Sequence, residues 1–438
     1  MKNNTFTYAQ VRFADIQLLR YRVPAFQDLS LGQKQYVYHL AEAALCGRDI
    51  LWDQNCRHNL AIRRLLEDIL QNSAIVHEGK DWEAFLTYLR QVWFANGIHH
   101  HYSTDKFLPA FSAEWFEGAY RAIPSPEIGE EEFARLATII TSPHIMPKRV
   151  CQSGDDLLLA SACNYYGEGV TQHEAEQFYA QQKASAPLPD QPVMYGMNSR
   201  LEKDAEGNLY ENIYSSTGLY GRQIERICSH LEKAMEFAET DRQREVISLL
   251  LQFYRTGSLD TFDQYTIAWV QNTEPLVDFV NGFTESYGDP LGMKASWESI
   301  VNFKDLEATK RTQQLSDNAQ WFESNSPVAP EFKKDEVKGI SAKVIKAAIL
   351  GGDLYPSTAI GINLPNSNWV RAEHGSKSVT IANLTHAYAE SSKGNGMLDE
   401  FVYSDVEAEI LRKYGSYTDD LHTDLHECLG HGSGKLLP

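Results

Sequence analysis

The sequence predicts an α+β protein that is mostly helical, and three observations predict it. Up to about residue 272, most segments repeat their apolar positions every three or four residues, the period of a helix with one buried face. After a proline-rich connection at 186–192 the period shortens to two, which is the period of a strand. Late in the chain, short apolar or alternating runs stop at glycine or proline, again as strands do.

Taken in order, Leu31 to Leu45 is periodic and follows a Ser30 that can cap a helix. Helices are expected at Leu60–Leu70, Trp82–Phe94, Glu114–Ala122, Glu130–Ile140 and Thr171–Gln182. Gly97 to Tyr102 reads as a loop. Its His99, His100 and His101 are neighbours in sequence, an arrangement that converges poorly on one ion. Val193–Leu201 and Leu209–Tyr214 read as two strands across the turn at 204–208. Helices return at about 219–239, 241–256 and 260–272. The glycines and Pro290 of Asn281–Glu298 suggest a loop lining a site, and a charged helix is expected at about 303–323. Ser341–Ile349 is apolar enough for a buried strand or a short helix. Ile360–Asn366 alternates apolar and amide residues, and Lys377–Asn383 reads as a strand.

The chain has 438 residues, enough for two or three domains, with ordinary hydrophobic (43%) and charged (23%) fractions. Its formal net charge of −19 argues against non-specific nucleic-acid binding. Cys46, Cys56, Cys151, Cys163, Cys228 and Cys428 are scattered without a C-x-x-C pair, as expected of reduced thiols. Met1–Thr5 leads into mixed sequence rather than a signal peptide, and no run of 18 apolar residues suggests a membrane span. A cytoplasmic location is the expectation. The sequence does not fix the oligomeric state, and a monomer is the default.

Chemistry concentrates near the end, at Asp424-Leu425-His426-Glu427-Cys428-Leu429-Gly430-His431. Two histidines with a glutamate directly after the first suit a zinc hydrolase, the imidazoles as neutral ligands and the carboxylate as general base. In the common H-E-x-x-H motif the histidines stand four apart on one helical face. Here they are five apart, which at about 100° per residue leaves them roughly 140° apart on a regular helix. They can share a metal only if the helix takes in one extra residue, as a π-bulge does. Spacing alone leaves a second reading level with the first, two unrelated histidines at a helix end. Thr418-Asp419-Asp420 reads as the start of the helix. Leu421, Leu425, Cys428 and Leu429 would form its apolar back, with His426, Glu427 and His431 in front. His422, with no acid after it, is read as a solvent or supporting residue.

These residues carry a resemblance. His426 to His431 matches the H-E-x-x-G-H motif of the dipeptidyl peptidase III family. Gly432–Leu436, Gly196–Leu201, Gly282–Pro290, Gly361–Asn366 and Arg371–Leu384 resemble that family too, and Ala43–Asp49 is similar to its bacterial branch. The resemblance implies a two-lobed zinc exopeptidase. Such an enzyme releases dipeptides from the free N-terminus of short peptides by attack of zinc-bound water. One lobe would hold a small β-barrel with helices around it, and the other would be helical and hold the metal. Projected onto this chain, 1–306 and 348–393 form the barrel lobe, and 307–347 and 394–438 form the zinc lobe.

By the same resemblance, His426 and His431 are zinc ligands and Glu427 is the general base. Tyr287 helps hold the developing oxyanion, as a phenol in a dry cleft can. Glu285 lies near the substrate amine, and Asn363 and Asn366 are amides that grip the peptide's N-terminal end. The residues alone also allow a packed aromatic at Tyr287, turn amides at Asn363 and Asn366, and a structural Glu298.

The sequence departs from the family at its end. Catalytic zinc normally takes three protein ligands and keeps one open position. The family's third ligand is a glutamate of an E-E-C-R-A-E type motif, and none occurs before Pro438. The expectation is therefore an N-terminal portion of a longer peptidase. Alone it would bind zinc weakly, have little activity, and expose apolar surface where further helices should pack. The alternatives are a non-catalytic peptide-binding protein that keeps the substrate lobe, or a metallopeptidase of another specificity.

Overall fold

Ser30 caps the first long helix as its sequence suggests. Its hydroxyl accepts from Gln33 N, and the Gln33 side chain accepts from Ser30 N, closing a capping box. In this computed structural model, which describes residues 6–185, 191–337, 340–356, 358–394 and 396–435, that helix spans Leu31–Cys46. Met1–Thr5, the Ala186–Asp190 part of the proline-rich connection, and Leu436 lie outside the described residues.

The expected helices are present at Asn59–Gln71, Lys80–Ala95, Ala113–Arg121, Glu130–Thr141, Gln172–Ala184, Gly221–Met235, Asp241–Thr256 and Leu259–Gln271. A short helix at Arg48–Asn55 has too little periodicity to announce itself. Its fully buried Gln54 is satisfied on both sides, donating to Ala295 O (3.0 Å) and accepting from Trp297 N (2.8 Å). The charged helix expected at 303–323 is broken at Asn318 into Leu306–Asp317 and Ala319–Asn325.

The strands are β1 (Ala9–Phe13), β2 (Ile16–Leu19), β3 (Ser199–Lys203), β4 (Leu209–Ile213), β5 (Val277–Glu285), β6 (Ser296–Lys304), β7 (Ile340–Gly352), β8 (Gly361–Leu364) and β9 (Ser376–Ile381). The hairpin β3–β4 starts later than its sequence suggests. Residues 195–198 form a turn in which Gly196 takes a positive φ of 85°. A Cβ there would lie 2.8 Å from Tyr179 Cζ, so the chain turns under that ring instead of extending. The loop expected at Asn281–Glu298 is a second hairpin. Phe283 and Trp297 are fully buried and pair across β5 and β6, and only 286–295 connects the strands.

The small barrel expected in this region is not closed. β5 to β9 form one five-stranded mixed sheet in the order β5-β6-β7-β9-β8, with a parallel β7–β9 pair. The sheet curls until residues of both edge strands, such as Val280 and Leu364, line one cavity, yet no ladder joins β5 to β8 among the described residues. β8 is four residues long and is followed by Pro365, which has no N–H to extend a ladder. Trp269, from helix Leu259–Gln271, donates its indole N–H to Phe279 O (2.9 Å) and covers the β5 side of the gap.

Apolar burial falls into separate clusters. One, including Phe85, Leu66 and Phe116, holds the N-terminal helices together. A larger one, including Tyr36, Phe253 and Trp297, packs helices against the β5–β6 hairpin.

Candidate metal centre

The segment bearing the histidine motif is a helix at Asp405–Leu425, capped by Ser404, which accepts from Glu407 N. It therefore begins nearly four turns before the start expected at Thr418. Thr418 is mid-helix, where its hydroxyl donates back to Tyr414 O (3.2 Å) and Gly415 O (2.9 Å).

At His426 the helix changes. His426–Gly430 forms a π-helical turn, and His431 N donates to His426 O at 3.1 Å across five residues. That one extra residue returns His431 to the face of His426. Their rings lie 4.9 Å apart, edge to face, and the ligand atoms of His426, Glu427 and His431 are all within 4.8 Å of one another. No other group of three or more His, Cys, Asp or Glu side chains gathers this way among the described residues.

The neighbouring sheet fixes the turn. Glu427 O accepts from Ser378 Oγ (2.6 Å) and Asn363 Nδ2 (3.4 Å). Asp424, almost fully buried, accepts from Arg311 Nε (3.0 Å) and Nη2 (2.8 Å) on one oxygen and from Thr380 Oγ1 (2.7 Å) on the other. Arg371 donates to His431 O (2.8 Å), and Lys334 donates to Gly432 O (2.8 Å). Buried Glu323 receives Gly434 N. Apart from Asn363, which the resemblance had marked for another role, none of these supports stands out in the sequence. The alternation of Ser376, Ser378 and Thr380 along β9 was the one available signal.

The expected two-faced helix is corrected in part. Cys428 is buried, and burial pushes its thiol up to about 11, so it is an inert packing group. Glu427 is buried as well, not on an open front, because it sits against Gly361 of β8. Its carboxyl is raised above the usual range by burial, opposed by His426, and its Oε2 has no hydrogen-bond partner. His426, His431 and His422 are exposed. His431 is held below the ordinary imidazole value by burial, then by His426 and Arg371, which favours the neutral form that a metal needs. Two imidazoles and an unpartnered carboxylate oxygen within 4.8 Å of one another fit a zinc ion.

Of the other predicted residues, Asn363 is brought to the motif and Asn366 to Glu285. Asn363 Nδ2 donates to Ser378 Oγ (2.6 Å) and Ser376 Oγ (3.2 Å), while its buried Oδ1 has no partner. Asn366 Nδ2 donates to Glu285 Oε2 (3.0 Å) and Thr284 O (3.2 Å). Burial raises the Glu285 carboxyl, Asn366 counters it, and Asp353 adds to it. Glu298 is buried beside Glu285 and Asp353 and is held well above the carboxylate range by that burial. Tyr287 follows β5 and is 83% exposed, so it is not packed into the sheet. The triple histidine is structural: His99 Nε2 is 2.9 Å from Met146 O, and His100 Nδ1 accepts from Tyr102 N and Ser103 N.

The sequence model of Peptidase family M49 matches residues 155–438. The chain belongs to peptidase family M49. Among M49-related proteins, dipeptidyl peptidase 3 of Rattus norvegicus is 26% identical over 452 residues, covering 94% of this chain and 60% of that protein. Dipeptidyl peptidase 3 of Homo sapiens is 26% identical over 461 residues, with the same coverage. The chain thus spans about three-fifths of the length of these curated relatives. Two solved structures share the fold. DPP III from Caldithrix abyssi matches with a TM-score of 0.67 at 20% identity, covering 93% of this chain and 65% of that one. Dipeptidyl-peptidase III from Corallococcus sp. strain EGB matches with a TM-score of 0.69 at 18% identity, covering 95% and 65%. No helix among the described residues is long and apolar enough to cross a membrane.

Proposed function

We propose that the chain is part of a zinc-dependent exopeptidase that releases dipeptides from the free N-terminus of short peptides. The observation that carries this reading is the π-helical turn, which converts a five-residue histidine spacing into one ligand face. Zinc held there would supply Lewis acidity to the scissile carbonyl and to a water molecule. His426 and His431 offer neutral nitrogens. Glu427, with its free and partly desolvated oxygen, takes the proton of the attacking water and passes it to the leaving amine. Tyr287, whose phenol is exposed just after β5, is assigned as donor to the developing oxyanion. Glu285, Asn366 and the unpartnered Asn363 Oδ1 receive the substrate ammonium, and reading it at a fixed distance from the metal sets the two-residue cut.

Residues 1–306 and 348–393 are assigned to the substrate lobe, and 307–347 and 394–438 to the zinc lobe. The third metal ligand is assigned to the additional length of the relatives. Six free cysteines support a reducing, cytoplasmic setting, and a monomer is proposed.

Competition with a chelating dye tests the metal: one weak zinc site is expected, lost in His426→Ala and His431→Ala. Binding of a short peptide with a free amine should weaken about tenfold in Glu285→Gln and vanish on N-acetylation. Tight peptide binding indifferent to zinc and to N-acetylation would favour a plain peptide-binding module. Robust dipeptide release by the chain alone with stoichiometric zinc would overturn the assignment of the third ligand.

A further inference from the structure

The concave side of the curled sheet holds an unusual set of charges. Lys304, Lys343 and Lys377 all line its cavity, and Asp278 is the one carboxylate that lines it with them. Asp278 is already engaged by Lys377 Nζ at 2.7 Å, and that ammonium also lies 4.1 Å from the centre of the Trp269 ring. Among the described residues, Lys304 and Lys343 have no carboxylate within ion-pairing distance. Both donate to the same acceptor, Thr273 O, each at 2.8 Å, so their nitrogens are at most about 5.6 Å apart by that shared contact. Lys304 also donates to Glu274 O (2.8 Å). Ser341 precedes Lys343 by two on β7, on the same face of the strand, and its hydroxyl is buried without a partner.

Two amines forced onto one carbonyl, beside a third cation, form a site short of negative charge. Glu239 and Glu274 act on Lys304 from outside the cavity. The space is narrow, about 20 Å³, with room for one small group and not for a peptide.

We propose that Lys343 is a carbon dioxide acceptor whose amine forms a carbamate inside the curled sheet, with Lys304 and Lys377 as its counter-cations. The Nζ lone pair attacks the carbon of CO2 and an N–C bond forms. One C=O π pair moves onto oxygen, and a proton leaves the nitrogen for solvent, so no oxidant or reductant is needed. Counted from the ammonium, which first gives up a proton to solvent, two protons are released in all and a third cation becomes a second anion, leaving two cations facing two anions. The groups that face Lys343 agree with this chemistry. Burial, then Lys377, and further on Lys304 hold its amine down to about 7 against the opposing pull of Asp278, so a large fraction is unprotonated and nucleophilic at neutral pH. The site is independent of the metal centre.

The test traps the adduct on the unmodified chain. The protein is equilibrated with 13C-labelled bicarbonate near pH 7.5, alkylated with triethyloxonium, and peptide-mapped by mass spectrometry. The expected result is an ethoxycarbonyl group on Lys343 at roughly tenfold or higher occupancy than on exposed Lys310. A carbamate 13C resonance should be present in the unmodified chain and in Lys310→Arg, and absent in Lys343→Arg. Label missing from Lys343, or no higher there than on Lys310, would overturn the proposal. So would a carbamate resonance surviving in a folded Lys343→Arg. A free anion held by the three lysines, seen as halide binding without any trapped adduct, would also overturn it. The mapping needs no variant, so a misfolded Lys343→Arg leaves the test intact.

Discussion

A Cβ at residue 361 would lie 2.4 Å from Glu427 Oε1, well inside van der Waals contact, and the sheet behind it cannot retreat. Gly361→Ala should therefore displace the proposed base while leaving both histidines in place. The expected outcome is zinc affinity within a few-fold of the parent and, for the proposed peptidase activity, hydrolysis at least a hundredfold slower. Dye competition and dipeptide release measure the two separately. Ser378→Ala removes the hydroxyl that serves Glu427 O and should cost about 1 kcal/mol of stability in a thermal melt. The sequence offered Glu427 as a base from its place beside His426. It could not show that the carboxylate faces Gly361, because 66 residues separate the two and only folding brings β8 beneath the motif.

The helix Asp405–Leu425 is held chiefly at its C-terminal end. Of its 21 residues only Ala408 and Asp424 are buried. Val406, Ile410, Leu411, Tyr414 and Tyr417 stay exposed, together with Phe401 and Tyr403 just before it. The expected exposed apolar surface is present, and the chain should bind a dye such as ANS in its folded state, with the signal reduced by Tyr414→Ser and Tyr417→Ser. Asp424 locks the helix to Arg311 and Thr380. Arg311 keeps 29% of its side chain exposed, so Asp424→Asn should cost about 2–3 kcal/mol, below the range for a fully buried pair. A double-mutant cycle with Arg311→Met should recover part of that loss. The π-helical turn was legible from the spacing, since five steps on a regular helix cannot share a metal. The true helix start carried a signal as well: Ser404 is followed by Glu407 at the third helical position, a capping-box pattern that Thr418, with Leu421 there, lacks.

For the molecule as a whole, three histidines set a pH window. Burial holds His58, His99 and His101 each down to about 4, with Arg135 and Arg57 adding to it at His58, and His100 and Arg149 at His101. The unfolded chain binds protons at these sites from about pH 6.5 downward, before the folded chain does. Their contribution is fully present above pH 6.5. It falls as pH drops toward 4, and no further loss comes from them below that. Denaturant unfolding should show stability declining by on the order of a few kcal/mol across that window. His99→Gln should flatten the decline, and a profile level between pH 6.5 and 4 would contradict the assignment. The barrel expected from the resemblance is an open curled sheet. Neither the brevity of β8 nor the stop at Pro365 tells from sequence whether a neighbouring strand will reach across.

What the sequence determined by itself is local. Most helical periods, the Ser30 cap and the extra residue between His426 and His431 depend on residues within a few positions of one another, and the structure keeps them. The tertiary structure alone decided which distant groups meet. Asn363 and Ser378 reach the carbonyl of Glu427, Arg311 reaches Asp424, and three lysines from three strands share one cavity. Such meetings follow from sheet order and curl, which no local pattern encodes, because strand pairing is settled by contacts far apart in the chain.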